Sequence, residues 1–326
     1  MLPMIRMVGT LLALGLLLAL GQVSEIVSAI AGASIVLAAT GIALTFVAFG
    51  VSTLKWQRLL ASRNIVVGFG RLYSLNMLAQ LYSLVLPGQL AGEAVKTIRV
   101  IHEAERRSVL VASVALDRIT GLAGLLIIGL AGWAAVGASR EPAAGAVLGV
   151  ALVVLLVASW LLASGADKKA SQAVGMFSRV ASATGRFRCA WREYRDDSAA
   201  LLEALCLSIV FQGLLAFSTW VFTRALGLEI SVWDVAWVFA FVSVAQILPI
   251  SMAGVGTRDG ALVGLLAGFE VSQANALALS FLILMSFLAQ GLVGAVVDIL
   301  GLTRTEQGDD AHVNRESDGP SGTGIP

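Results

Sequence analysis

The sequence predicts an all-α polytopic membrane protein of about eight membrane helical segments, two of them broken, re-entrant elements in an inverted repeat. Three observations predict it. The 326-residue chain is 58% hydrophobic and 13% charged, where a soluble domain is about half apolar and about a quarter charged, and its mean hydropathy is +0.88. Apolar runs long enough to span a bilayer recur from Val8 to Leu302. Two of these runs are interrupted by proline and glycine next to a base: LVLPGQLAGEAVK at 84–96 and QILPISMAGVGTR at 246–258.

The first run, VGTLLALGLLLALG at 8–21, follows a single arginine. It reads as a spanning helix that stays. A cleaved signal peptide is the alternative, and the next run follows too closely for that reading. Further segments are expected at 28–53, 72–90, 108–137, 142–165, 199–223, 235–250, 260–269 and 274–302. Residues 55–71 carry Lys55, Arg58, Arg63 and Arg71 without an acid, and 166–198 hold seven bases from Lys168 to Arg195. Short loops at 22–27, 138–141 and 224–234 hold at most one base each. The excess of Lys and Arg places 55–71 and 166–198 in the cytoplasm.

That placement leaves one crossing too many unless 72–100 enters the membrane, breaks at Pro87–Gly92 and returns to the same side. Segment 108–137 then crosses outward and 142–165 crosses back. In the second half 199–223 crosses outward, 235–269 enters and returns with a break at Pro249–Gly256, and 274–302 crosses inward. Both termini are then cytoplasmic, in a multi-pass protein of the cytoplasmic membrane. The membrane domain is 1–302, with repeat halves at about 28–165 and 199–302 around a connector at 166–198. Residues 303–326 are too polar and glycine-rich to order themselves. The connector reads either as a basic helix on the inner leaflet or as a solvated link.

The two breaks share the pattern LPxxxAGxxx[K/R], from Leu86 to Lys96 and from Leu248 to Arg258, offset by 162 residues. Entering from opposite faces, they point to a central site. Pro87, Gly88, Gly92, Pro249, Gly254 and Gly256 shape the breaks. Proline removes a donor, and glycine allows a turn or a close approach. The freed backbone groups must line protein or a wet cavity. A helix restarting there presents its positive end to an anion. Lys96, Arg99, Arg118 and Arg258 are the expected phosphate binders, and Glu93, Asp117 and Asp259 the balancing or coupling carboxylates. A charge near the bilayer centre costs about 3 kcal/mol on insertion scales, so each faces a partner or a cavity. Gln80, Gln212, Gln246 and Gln290 are expected to bond between helices. Asp298 is expected at an interface.

The composition also excludes classes. Net charge is +1, which argues against a nucleic-acid partner. Cys189 and Cys206 are isolated, and only His102 and His312 are histidines, so no disulfide framework or metal cluster is expected. There is no phosphate-binding loop, nucleophile elbow or dinucleotide fingerprint, and no cofactor is expected.

The LPxxxAG(E)xxK element, the DRxxGL at Asp117–Leu122 and LPISMAGVGTRDG at 248–260 resemble the lysylphosphatidylglycerol synthase transmembrane-region family, flippase-like integral membrane proteins, over residues 5–302. This chain has AGEAVK where the family often has Gly-Gly-Asp/Glu then Arg, and Arg258-Asp259 where Arg-Glu is commoner. Both changes keep the charge. Members that make aminoacylated lipid add a soluble transferase domain, and here a short tail follows. The resemblance therefore implies the translocating half alone, a stand-alone member. Its implied partners are a membrane lipid, either an anionic phospholipid or a polyprenyl-phosphate-linked lipid as in cell-envelope glycosylation, together with a separate synthase or glycosyltransferase and self-association. The expected function is translocation of an anionic or phosphate-bearing lipid across the cytoplasmic membrane. Two alternatives stand beside it. One is an integral-membrane transferase on polyprenyl-phosphate-linked substrates, using acids such as Glu25, Glu141, Glu229 or Asp234 on outward loops. The other is a small-anion transporter.

Overall fold

The computed structural model describes residues 23–85, 90–101, 106–136, 142–164, 189–194, 196–246 and 256–301. The first expected span, most of the connector and the tail lie outside them. Among the described residues the chain has no strand. Its helices are α1 (Val23–Ala31), α2 (Ile35–Ala61), α3 (Phe69–Val85), α4 (Leu90–Val100), α5 (Arg107–Val136), α6 (Pro142–Ser164), α7 (Ser198–Ala225), α8 (Val232–Ala245), α9 (Thr257–Ala267) and α10 (Gln273–Ile299). Of these, α2, α5, α7 and α10 are long and apolar enough to cross a bilayer. The chain is an all-α polytopic membrane protein.

Two boundaries differ from the sequence reading. Residues 23–31, expected to begin as a loop, form α1. The chain then turns at Gly32–Ser34, because the Ser34 side chain caps α2 and its N–H donates to the Ala225 carbonyl at 2.8 Å. In addition, α2 runs to Ala61 rather than stopping near residue 53. Lys55, counted with the loop at 55–71, is instead buried and paired within the bundle.

Helices of the first half recur in the second at the 162-residue offset of the two breaks. Moved by it, α2 falls on α7, α3 on α8 and α5 on α10, while α4 overlaps α9. The contacts follow the same exchange. α3 lies along α10 and α8 along α5; α4 packs on α3 and α9 on α8. Helices α2 and α7 pack against each other and run antiparallel. Ser34 meets Ala225, Gly41 accepts from Ser218, and Phe49 meets Phe211 edge-on.

Small residues bring these pairs together, as membrane helices without a strong hydrophobic drive require. Gly129 and Gly132 of α5 abut Ala240, Ala236, Trp233 and Trp237 of α8. The offset carries them onto Gly291 and Gly294 of α10, which abut Leu81, Met77 and Leu78 of α3. A Cβ at Gly132 would stand 2.6 Å from the Trp233 carbonyl oxygen and 3.0 Å from the Trp237 nitrogen. At Gly294 it would overlap the backbone of Met77 and Leu78.

Two apolar clusters close the bundle. One, at the C-terminal end of α2, joins Trp56, Leu59, Leu72, Leu110 and Tyr194. The other, at the opposite end, joins Phe222, Trp237, Val238, Leu262 and Leu279. Between them Gln290 donates to Thr45 Oγ1 at 2.8 Å and Gln80 donates to Gln290 at 3.2 Å. Gln212 donates to the Gly121 carbonyl at 3.1 Å. These three make the expected bonds between helices. Gln246 bonds to Val242 within its own turn instead.

Candidate functional site

The first half gathers five ionisable side chains where α4 begins. Glu93 lies in the first turn of α4 and Lys96 one turn further on. Lys96 Nζ is 2.9 Å from Glu93 Oε2 and donates to Asn76 Oδ1 of α3 at 3.1 Å. It also stands 4.4 Å from the centre of the Trp56 ring of α2, a favourable place for an ammonium withdrawn from water. Asn76 in turn donates to Thr53 at 2.7 Å. Arg118 of α5 reaches Glu93 from the other side, Nη2 to Oε1 at 2.6 Å. Its neighbour Asp117 turns to α2, where Lys55 Nζ sits 3.0 Å from Oδ1 and 2.9 Å from the Asp117 carbonyl oxygen.

Burial sorts these groups. Lys55, Lys96 and Asp117 are buried, while the Arg118 side chain is 45% exposed. Three bases and two acids leave one formal positive charge. Buried ions persist only when paired and hydrogen-bonded, and this network joins α2, α3, α4 and α5. Gly92 is part of that packing: a Cβ there would overlap the Ala79 carbonyl oxygen and Ser83 of α3. It lies within α4 and lets the helix press on α3, rather than forming the break itself. Pro87 and Gly88 lie outside the described residues.

The second half gathers fewer groups. Gly256 takes φ +94°, which favours glycine, just before α9. Its N–H donates to Asp259 Oδ2 at 2.9 Å. Arg258, the second residue of α9, donates from Nε to Ser280 Oγ of α10 at 2.7 Å, and Nε is 3.7 Å from Asp259 Oδ1. Ser280 donates to Asp259 Oδ1. Arg258 Nη1 is buried without a hydrogen-bond partner among the described residues. Pro249 and Gly254 lie outside them.

The predicted site residues therefore fall into three places. Glu93, Lys96, Asp117 and Arg118 share one cluster, and Arg258 and Asp259 share another. Arg99 belongs to neither: it pairs with Asp298 near the end of α10 at 3.1 Å. The helix rise sets Ser280 about 27 Å along α10 from Asp298. The two bases at the breaks thus stand in opposite halves of the bundle instead of meeting at its centre.

Lys55 is the site residue that sequence reading missed, having been counted with the loop cations. The signal for it was Asp117, a carboxylate inside an apolar run that needs a cation at its own depth.

A turn of the connector closes the first cluster's end of the bundle. Tyr194 donates to the Leu59 carbonyl at 2.9 Å, and Arg63 lies 4.5 Å from the centre of its ring. Arg106 takes both oxygens of Glu193, at 3.2 and 2.7 Å. That pair holds the Arg106 guanidinium above its ordinary pKa. At the opposite end a cleft of about 730 Å³ is lined by Glu229, Asp234 and Glu270. Among the described residues no group of acids, histidines and cysteines could hold a metal ion.

A family model described as Lysylphosphatidylglycerol synthase TM region matches residues 6–294. No curated protein and no solved structure matches the chain.

Proposed function

The chain belongs to the lysylphosphatidylglycerol synthase transmembrane-region family, and on that premise we propose that it translocates an anionic or phosphate-bearing lipid across the cytoplasmic membrane. The headgroup phosphate docks at Lys96 and Arg118. One observation carries this reading. Five ionisable groups lie together at the start of α4, they sum to one positive charge, and one of the bases, Arg118, is half open. A single phosphodiester supplies the missing negative charge. Arginine offers it a two-pronged donor and lysine a point charge. The start of α4 adds its dipole.

In this reading the α2 C-terminal end faces the cytoplasm, as the basic residues near it favour, and the halves form an inverted repeat. Support for the repeat is the common offset of helices, glycine pairs and bases, with α2 and α7 antiparallel. Glu93 bridges the two cations until a phosphate displaces it. Asp117 is spent on Lys55 and acts as a brace.

The test is lipid movement in proteoliposomes, with a tail-labelled phosphatidylglycerol and a quencher that cannot cross the bilayer. Wild-type protein should expose the inner-leaflet pool. A Lys96→Gln/Arg118→Gln variant of the same size-exclusion profile should lose most of that movement. Full movement by the variant, or equal protein-dependent movement of a labelled glycolipid that lacks phosphate, overturns the reading.

The transferase reading has one specific support, the acid-lined cleft with Glu229, Asp234 and Glu270. A product-forming activity that is lost in Glu229→Gln without any lipid movement would favour it.

A further inference from the structure

We propose that Arg258 is a second phosphate-binding station, in the half of the bundle opposite the Lys96 cluster, and that it holds the same phosphate chemistry more weakly. This inference rests on the lipid-translocation reading.

Arg258 is only 2% exposed. A guanidinium carries five N–H donors. Here the contacts to Ser280 and Asp259 are both made through Nε, and Nη1 is buried and unspent among the described residues. A buried donor left unmade is costly, and more so on a charged group. The side chain stands in the first turn of an eleven-residue helix, where the helix end favours an anion. An oxyanion answers both features, and a phosphate matches the free side of the fork.

The comparison of halves specifies how well it binds. The 162-residue offset carries Lys96 onto Arg258 and Arg118 onto Ser280. Where the first half places a second base, the second half places a hydroxyl that already serves Arg258 and Asp259. Arg258 and Asp259 cancel, so the second station has no net charge to offer. It binds through hydrogen bonds from one guanidinium alone. A headgroup held by two bases in one half and by one neutralised base in the other has a strong station and a weak one.

Native mass spectrometry of the full chain, released from phosphatidylglycerol nanodiscs, tests this directly. Wild type should keep two lipids at low activation and lose one first. Arg258→Gln should keep one, and Lys96→Gln/Arg118→Gln should keep one that leaves early. Arg258→Lys keeps the buried charge beside Asp259 but loses the fork, and its early-leaving lipid should leave several-fold sooner than that of the wild type. It also keeps the test open if Arg258→Gln fails to fold. Two lipids on a folded Arg258→Gln, or unchanged release in Arg258→Lys, overturn this inference and leave the translocation reading standing. No lipid on the wild type overturns the reading itself. Inorganic phosphate added to protein in phosphate-free glycolipid nanodiscs separates the sources. An adduct that needs Arg258, with no Arg258-dependent phosphatidylglycerol, upholds the station for free phosphate and removes the lipid as its ligand. No phosphate adduct, with the lipid pattern above, upholds the lipid.

Discussion

The Lys96 and Arg258 clusters occupy equivalent places in the two halves, yet they are built differently. The first ties four helices with three bases and two acids. The second ties α9 to α10 with one ion pair and one serine. Their backbones share helix order, offset and glycine contacts. The difference teaches that packing and charge have been allotted separately. Packing is held alike in both halves, because both helix pairs must approach closely. Charge is concentrated in one half, where each ion has a counter-ion within 3.0 Å. A buried ion without that mutual support leaves donors unspent, and Arg258 Nη1 is such a donor.

The largest expected effect breaks the comparison on its charged side. Asp117→Asn leaves Lys55 buried with a carbonyl contact but no counter-charge, which should cost about 3–5 kcal/mol. Lys55→Met/Asp117→Leu removes both ions and should recover most of that loss. Asp259→Asn should cost less, about 1–3 kcal/mol, because Arg258 keeps its bond to Ser280 and its pairing with Asp259 is longer. Thermal unfolding in detergent ranks the three. Equal losses in Asp117→Asn and Asp259→Asn would mean that the second cluster is as much a brace as the first.

The next effect tests the packing side, where the halves should behave alike. Gly132→Ala forces a methyl against the Trp233 and Trp237 backbone, and Gly294→Ala does the same to Met77 and Leu78. Neither neighbour is the end of a flexible side chain, so each substitution should cost about 1–3 kcal/mol of overpacking. The same unfolding measurement checks both. A loss confined to one variant would show that only one of the helix pairs is tightly seated.

Much of this was legible in the sequence, and the failures have physical reasons. Apolar runs announce membrane helices because lipid tolerates little else. The repeated LPxxxAG pattern was visible because proline, glycine and a base rarely recur together at one offset. Glu93, read as a balancing carboxylate, pairs with Lys96 and Arg118, since a buried charge must find a partner. Which partner was not legible. Asp117 follows Lys55 by 62 residues and adjoins Arg118, and chain adjacency says nothing about which cation lies across the helix interface. Lys55 also disguised the end of α2, because a lysine after an apolar run looks like a helix terminus. The glycine pairs at 129–132 and 291–294 were visible as text. Their meaning required knowing which helices touch.

The smallest effect concerns the connector turn, which lies between the halves and so braces only the first cluster's end. Burial raises the Tyr194 hydroxyl well above its ordinary pKa, against the opposing pull of Arg63. A raised pKa means that the folded protein holds this proton more tightly than the unfolded chain. The resulting stability is complete below the unfolded value, about pH 10, and drains away as pH rises toward the folded one. Tyr194→Phe should lose about 1 kcal/mol through the missing bond to Leu59, and should flatten the loss of stability above about pH 10. Since the turn packs with Trp56, and Trp56 faces Lys96, native mass spectrometry should show, under the translocation proposal, the variant releasing the phosphatidylglycerol that depends on Lys96 and Arg118 sooner. The lipid that depends on Arg258 should be unmoved. Equal loosening of both would mean that the two stations are mechanically one, and the separation seen in their charges would not extend to their motions.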